Sequence, residues 1–171
     1  MNGDVVFVVG AEKRQVRVHS VIARSASKVF DAMLGPHFSE GKKMGESQPA
    51  KIHLPEDDSI AMSIIFCVLH GQNDGVPTIL GTRQVLEIAI TTDKYDMCGA
   101  MKFAAKCWLD PVSIADTQGL WHLMTAAYTF GDAERFEDIT LRLILDHSGS
   151  YLSLLLEDNS IYSEVFVKIC C

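Results

Sequence analysis

The chain has 171 residues, 48% of them apolar and 22% charged, within the range of ordinary globular domains and outside that of disordered or low-complexity chains. Fifteen Lys and Arg against 22 Asp and Glu give a formal charge of −7. An acidic chain without a basic stripe is a poor ligand for duplex nucleic acid, whose affinity depends on many cations facing phosphates. No apolar run approaches the roughly 18 residues that span a bilayer, and Met1-Asn2-Gly3-Asp4 lacks the basic start of a signal peptide. The five cysteines form no Cys-x-x-Cys pair, and Cys67 and Cys107 sit inside apolar helical runs. A reducing, cytoplasmic or nuclear compartment is expected.

The first elements read as a hairpin. Val5 to Val9 is β-branched or aromatic throughout and is expected to be covered on both faces. Gly10 to Lys13 reads as the turn, and Gln15 to His19 alternates, with Val16 and Val18 on one face and Arg17 on the other. From Ser20 the pattern becomes helical and short, through Val21, Ile22, Val29, Phe30, Met33 and Leu34, with Ser25 and Ser27 as polar punctuation. Gly35 to Pro49 reads as loop with Phe38 as its apolar anchor, and Lys51 to Leu54 as a third strand.

Asp57 and Asp58 are expected to cap a helix over Ile60 to Leu69, which is apolar nearly all round and therefore central. After a loop over Gly71 to Gly81, four amphipathic helices follow, organised on Val85–Ile90, Met101–Trp108, Leu120–Ala127 and Phe136–Ile144. Asp116 and Asp132 stand at N-caps, Gly131 and Gly149 at C-caps. The tail from Tyr151 to Ile169 is apolar without a clean period. The class is α+β: a small mixed sheet against a helical cluster.

Motifs for catalysis are weak. Gly35 to Lys43 has the wrong glycine spacing for a phosphate loop and Lys43 where Ser or Thr is required. The six histidines are scattered, with no close pair of metal ligands. His19 reads as a hydrogen-bonded core residue, and His147 as a complement to a helix dipole. Glu56-Asp57-Asp58 reads as an exposed helix start rather than a buried carboxylate pair. No Gly-x-Ser-x-Gly elbow is present; a hydrolase would need His19 or His122 within reach of a Ser or Cys. No catalytic, cofactor or metal residues are assigned. The helix around Leu120-Trp121-His122-Leu123-Met124 carries apolar residues on more than one stripe, which fits either an interaction surface or a shared core.

Six stretches together resemble the BTB/POZ family: Asp4 to Val9; Val16-x-Val18-His19-Ser20; Ser27-x-Val29-Phe30-Asp31-Ala32-Met33-Leu34; Phe38-Ser39-Glu40; Ile52-x-Leu54-Pro55-Glu56-Asp57-Asp58; and Leu86-Glu87-Ile88-Ala89 running into Asp93-Lys94-Tyr95-Asp96. The resemblance implies a BTB/POZ domain over residues 1–110 and a helical extension over 111–171. The Leu120-Trp121 helix and Tyr128-x-Phe130-Gly131-Asp132 look like the extension of many uncharacterised BTB proteins of filamentous fungi. It further implies a non-enzymatic protein-interaction module, with protein partners and a homodimer formed through the first strand and first helices; Val5, Phe7, Val21 and Arg24 are placed nearest that patch. The alternative is a substrate adaptor of a cullin-RING ubiquitin ligase.

Three departures stand out. Ala23 replaces a common Leu. Ser20 replaces the basic residue that dimeric relatives set near the Asp of the first strand. Ala61-Met62-Ser63 lacks the hydrophobic-x-Glu triplet of cullin binders.

Overall fold

The computed structural model describes residues 3–35, 49–110 and 116–149. By internal contacts the chain divides into two compact units, Met1–Pro77 with Thr91–Met101, and Thr78–Ile90 with Lys102–Cys171. Among the described residues the fold is α+β, with seven α-helices and one three-stranded sheet.

In the first unit, β1 (Val5–Val9) and β2 (Arg14–Val18) form the expected hairpin, closed by a bond from the Lys13 amide to the Gly10 carbonyl (3.1 Å). β3 (Ala50–Leu54) pairs in parallel with the other side of β1, giving the order β2-β1-β3. β1 is therefore central, and all five of its residues are buried, in agreement with its two-faced apolar pattern. β3 alternates, burying Ala50, Ile52 and Leu54 and exposing Lys51 and His53. Gly3 packs against the end of β2, where a Cβ would lie 2.1 Å from the Val18 carbonyl oxygen, so only glycine fits.

Helices α1 (Ser20–Ala26) and α2 (Lys28–Met33) pack on each other. Ser27 breaks them by N-capping α2: its Oγ accepts from the Phe30 amide (2.9 Å) and donates to the Tyr95 carbonyl (2.5 Å). Asp58 caps α3 (Ser59–Leu69) through the Ala61 amide (2.6 Å). The expectation that this helix is enclosed all round holds only for its inward positions, since Ile60 is 46% exposed. Short sequence runs do not distinguish a two-thirds apolar contact from a complete one. Phe7, Phe30, Phe66 and Tyr95 make the aromatic centre, with ring centroids 4.5 Å apart for Phe30 and Tyr95 and 5.2 Å for Phe7 and Phe66.

The second unit takes Thr82–Ile90 of α4 (Thr82–Lys94), Lys102–Trp108 of α5 (Cys98–Trp108), and the whole of α6 (Thr117–Phe130) and α7 (Ala133–Asp146). Asp116 and Asp132 cap α6 and α7, accepting from the Gly119 amide (2.6 Å) and the Arg135 amide (3.2 Å). Gly131 ends α6 in the left-handed region at φ 71°. Gly149 has no such role: α7 ends at Asp146, and extended His147 is its C-cap. α6 buries every residue from Gly119 to Ala127, so its several apolar stripes belong to the core. The outward apolar stripe lies on α7 instead, at Leu141, Ile144 and Leu145. The tail from Tyr151 to Ile169 lies outside the described residues.

Candidate interaction surface

Val5 and Phe7 are fully buried, because β2 and β3 occupy both edges of β1 and the helices cover its Phe7 face. Their side chains build the core of this unit and do not reach the surface. The sheet edges belong to β2 and β3, so β1 itself offers no edge to a partner. Val21 is different: it is 70% exposed on α1, while Ser20 and Ala23 on the same helix face inward. Arg24 lies on the next turn beside it, and its Nε donates to the Asp31 carboxylate (2.8 Å), tying the outer faces of α1 and α2 together. Val21 and Arg24 thus share one solvent-facing surface of α1.

Asp4 anchors the start of α1. Its carboxylate accepts from the Ser20 amide (2.7 Å) and the Ser20 hydroxyl (2.6 Å), meeting an otherwise unsatisfied helix amide. Burial alone would raise the Asp4 pKa, but the two Ser20 bonds outweigh it and hold the carboxyl below its ordinary value. His70 supports the same corner: its Nδ1 lies 2.8 Å from the Phe66 carbonyl, and its Nε2 accepts from the His19 amide (3.1 Å). An acceptor at Nε2 and a carbonyl at Nδ1 require the neutral ring protonated on Nδ1. The second helix start is met from the hairpin turn, where Glu12 accepts from the Ser59 hydroxyl and its carboxyl is held below the usual range by that bond.

Asp57 departs from its sequence reading. It is buried rather than part of an exposed turn, and its two oxygens accept from Lys94 Nζ (2.6 Å) and the Tyr95 hydroxyl (2.7 Å). Burial, and then the bond to Asp57, push the Tyr95 phenol far above its ordinary range. This arrangement fastens the C-terminal end of α4 to the start of α3. Both Asp57 oxygens and the Tyr95 hydroxyl are thus engaged in holding these helix ends together.

The other candidate chemical groups are dispersed. His122 is buried on α6, with Nδ1 3.1 Å from Thr82 Oγ1 and Nε2 3.3 Å from Gln118 Nε2. Among the described residues, no group of three or more His, Cys, Asp and Glu is placed to hold a metal ion. Cys98 lies 3.8 Å from the Thr92 hydroxyl, and burial raises its thiol. In α3, Met62 is fully buried and Ser63 bonds back to the Ser59 carbonyl (2.6 Å), so the aligned cullin triplet presents no large apolar residue outward. His37, Cys170, Cys171 and most of the phosphate-loop candidate lie outside the described residues. Among the described residues no helix is long and apolar enough to cross a membrane. No protein-family model matches the chain, and no curated protein matches it significantly.

Proposed function

We propose that this chain is a non-enzymatic protein-interaction module of BTB/POZ type, and that it self-associates through the outward face of α1 and α2. The observation that carries the reading is Val21, an apolar side chain 70% exposed on a helix otherwise held rigidly by Asp4, Ser27 and the Arg24–Asp31 pair. A preorganised apolar side chain flanked by a charged pair suits an isologous contact, in which each copy presents the same patch. The order of hairpin, helix pair, parallel third strand and buried helix supports the family reading.

A stable interface of this kind buries on the order of 1,600 Å² in total. Light scattering on the full chain at tens of micromolar is expected to give a dimer, and Val21→Glu a monomer with unchanged circular dichroism. A monomer for the unsubstituted chain overturns self-association.

A further inference from the structure

The mixed sheet leaves β3 at an edge, and the hydrogen bonds determine which groups face outward. The Ala50 amide donates to the Asp4 carbonyl (3.0 Å), and the Leu54 carbonyl accepts from the Gly10 amide (3.0 Å). Residues of that parity therefore point their backbone groups at β1. Lys51 and His53, of the opposite parity, point theirs away from the sheet. No described residue pairs with these outward groups.

Beside this edge runs an open groove of about 610 Å³ between α2 and β3, lined mainly by apolar Val29, Ala32, Met33, Ile52 and Leu54, with Lys28 at its α2 side. It also touches His53, which follows Ile52 on the opposite face of the strand, so the groove runs along the edge rather than over one face. On that opposite face, the Lys51 and His53 side chains are exposed.

We infer that the outer edge of β3 binds an extended peptide as a fourth strand, one that alternates apolar and acidic residues. Each feature constrains the occupant. Outward amides and carbonyls at a two-residue repeat, with no partner among the described residues, accept a strand, not a helix. In an added strand, alternate side chains would enter the α2–β3 groove, where apolar groups match most of the lining. The intervening ones would stand beside Lys51 and His53, where Asp or Glu supplies the charge opposite to the Lys51 ammonium. The site does not depend on α1 self-association, and light scattering on the same sample reads that separately.

The test is fluorescence anisotropy of the full chain with a labelled peptide of alternating valine and glutamate. The expected result is saturable binding, at least about tenfold weaker for a valine–lysine peptide. Lys51→Pro removes an outward amide while leaving the bonds to β1 intact. It is expected to weaken binding roughly tenfold, against a much smaller effect of Lys51→Ala. Should Lys51→Pro fail to fold by circular dichroism, the peptide itself carries the test: N-methylation of either its valines or its glutamates must abolish binding. No binding at about 1 mM peptide overturns the inference, as does equal binding of the lysine peptide or of both N-methylated forms. A dimer that Lys51→Pro dissolves would show that a second copy occupies the edge, and would also overturn it.

Discussion

Asp57 offers the sharpest test of the packing argument, because it is a buried carboxylate joined to two partners of unlike exposure. Its side chain is 5% exposed, that of Lys94 47%. In Asp57→Ala the Lys94 ammonium returns to water, and loss of so exposed a pair costs less than about 1 kcal/mol. The Tyr95 hydroxyl cannot do the same: Tyr95 is only 3% exposed, and its abandoned donor costs about 1–3 kcal/mol. Together these give a destabilisation of about 1–4 kcal/mol. Tyr95→Phe removes the donor but leaves Lys94 on the carboxylate, for about 1–2 kcal/mol. The double variant has no stranded hydroxyl and is expected to be more stable than the sum of the singles by about 1–2 kcal/mol. Urea unfolding at neutral pH measures all four corners of the cycle. Circular dichroism is the appropriate signal, because both tryptophans, Trp108 and Trp121, lie in the second unit. Loss of less than about 0.5 kcal/mol in Asp57→Ala, or additivity within that margin, would refute the account.

Gly131→Ala is expected to cost about 1–2 kcal/mol from its left-handed backbone alone, since a Cβ there meets nothing within 4 Å, and Gly131→Asn less; urea melts check both. Asp4 sets a pH dependence. Because its folded pKa is lowered from 3.8, its contribution is present above that value and is lost as pH falls through the lower folded value. The stability gap between the unsubstituted chain and Asp4→Asn should therefore narrow from about pH 6 to about pH 3, and a constant gap would exclude the assignment. Thiol labelling with N-ethylmaleimide, followed by peptide mass mapping, should modify exposed Cys107 before Cys98, whose thiol is raised by burial; the reverse order would contradict the packing around Thr92.

Local features were legible wherever a short window contains their cause. Continuous Val5–Val9 identified a strand covered on both faces, the alternation at Lys51–Leu54 a half-buried one, and Asp58, Asp116 and Asp132 their helix starts. The failures have causes far away in the chain. Asp57 sits among acids and a proline, and nothing near it signals the Lys94 and Tyr95 partners that arrive 37 and 38 residues later. His70 reaches back 51 residues to the His19 amide. The apolar excess of α6 could not be assigned to core or surface from its own stripes, since the answer depends on what packs around it. Of the four residues expected nearest an interface, Val21 and Arg24 reach solvent on α1, a phase that the short helix did not show in its own sequence. Val5 and Phe7 do not, as the two-faced apolar pattern of Val5–Val9 already indicated; what the pattern does not give is the strand order, which is set by pairing.

That same strand order explains why the functional reading moves from β1 to its neighbours. A central strand has no free hydrogen-bonding groups to offer, so whatever the sheet presents to another chain must come from β2 or β3. The two edges are not equivalent. β2 exposes Arg14, Gln15 and Arg17 along its length, and Arg17 folds its Nε onto the Gly3 carbonyl (2.7 Å), a polar covering of the sort that discourages strand addition. β3 has polar side chains on one face only, and its other face opens into the apolar groove beside α2. The edge of β2 is covered by its exposed arginines, whereas that of β3, with polar side chains on a single face, suits a strand whose own two faces match. Reversing the charge on that polar face, with Lys51→Glu, should therefore exchange the preferred peptide from valine–glutamate to valine–lysine while leaving the fold unchanged. Anisotropy would show the exchange directly, and a variant that kept the original preference would mean that charge has no part in choosing the occupant.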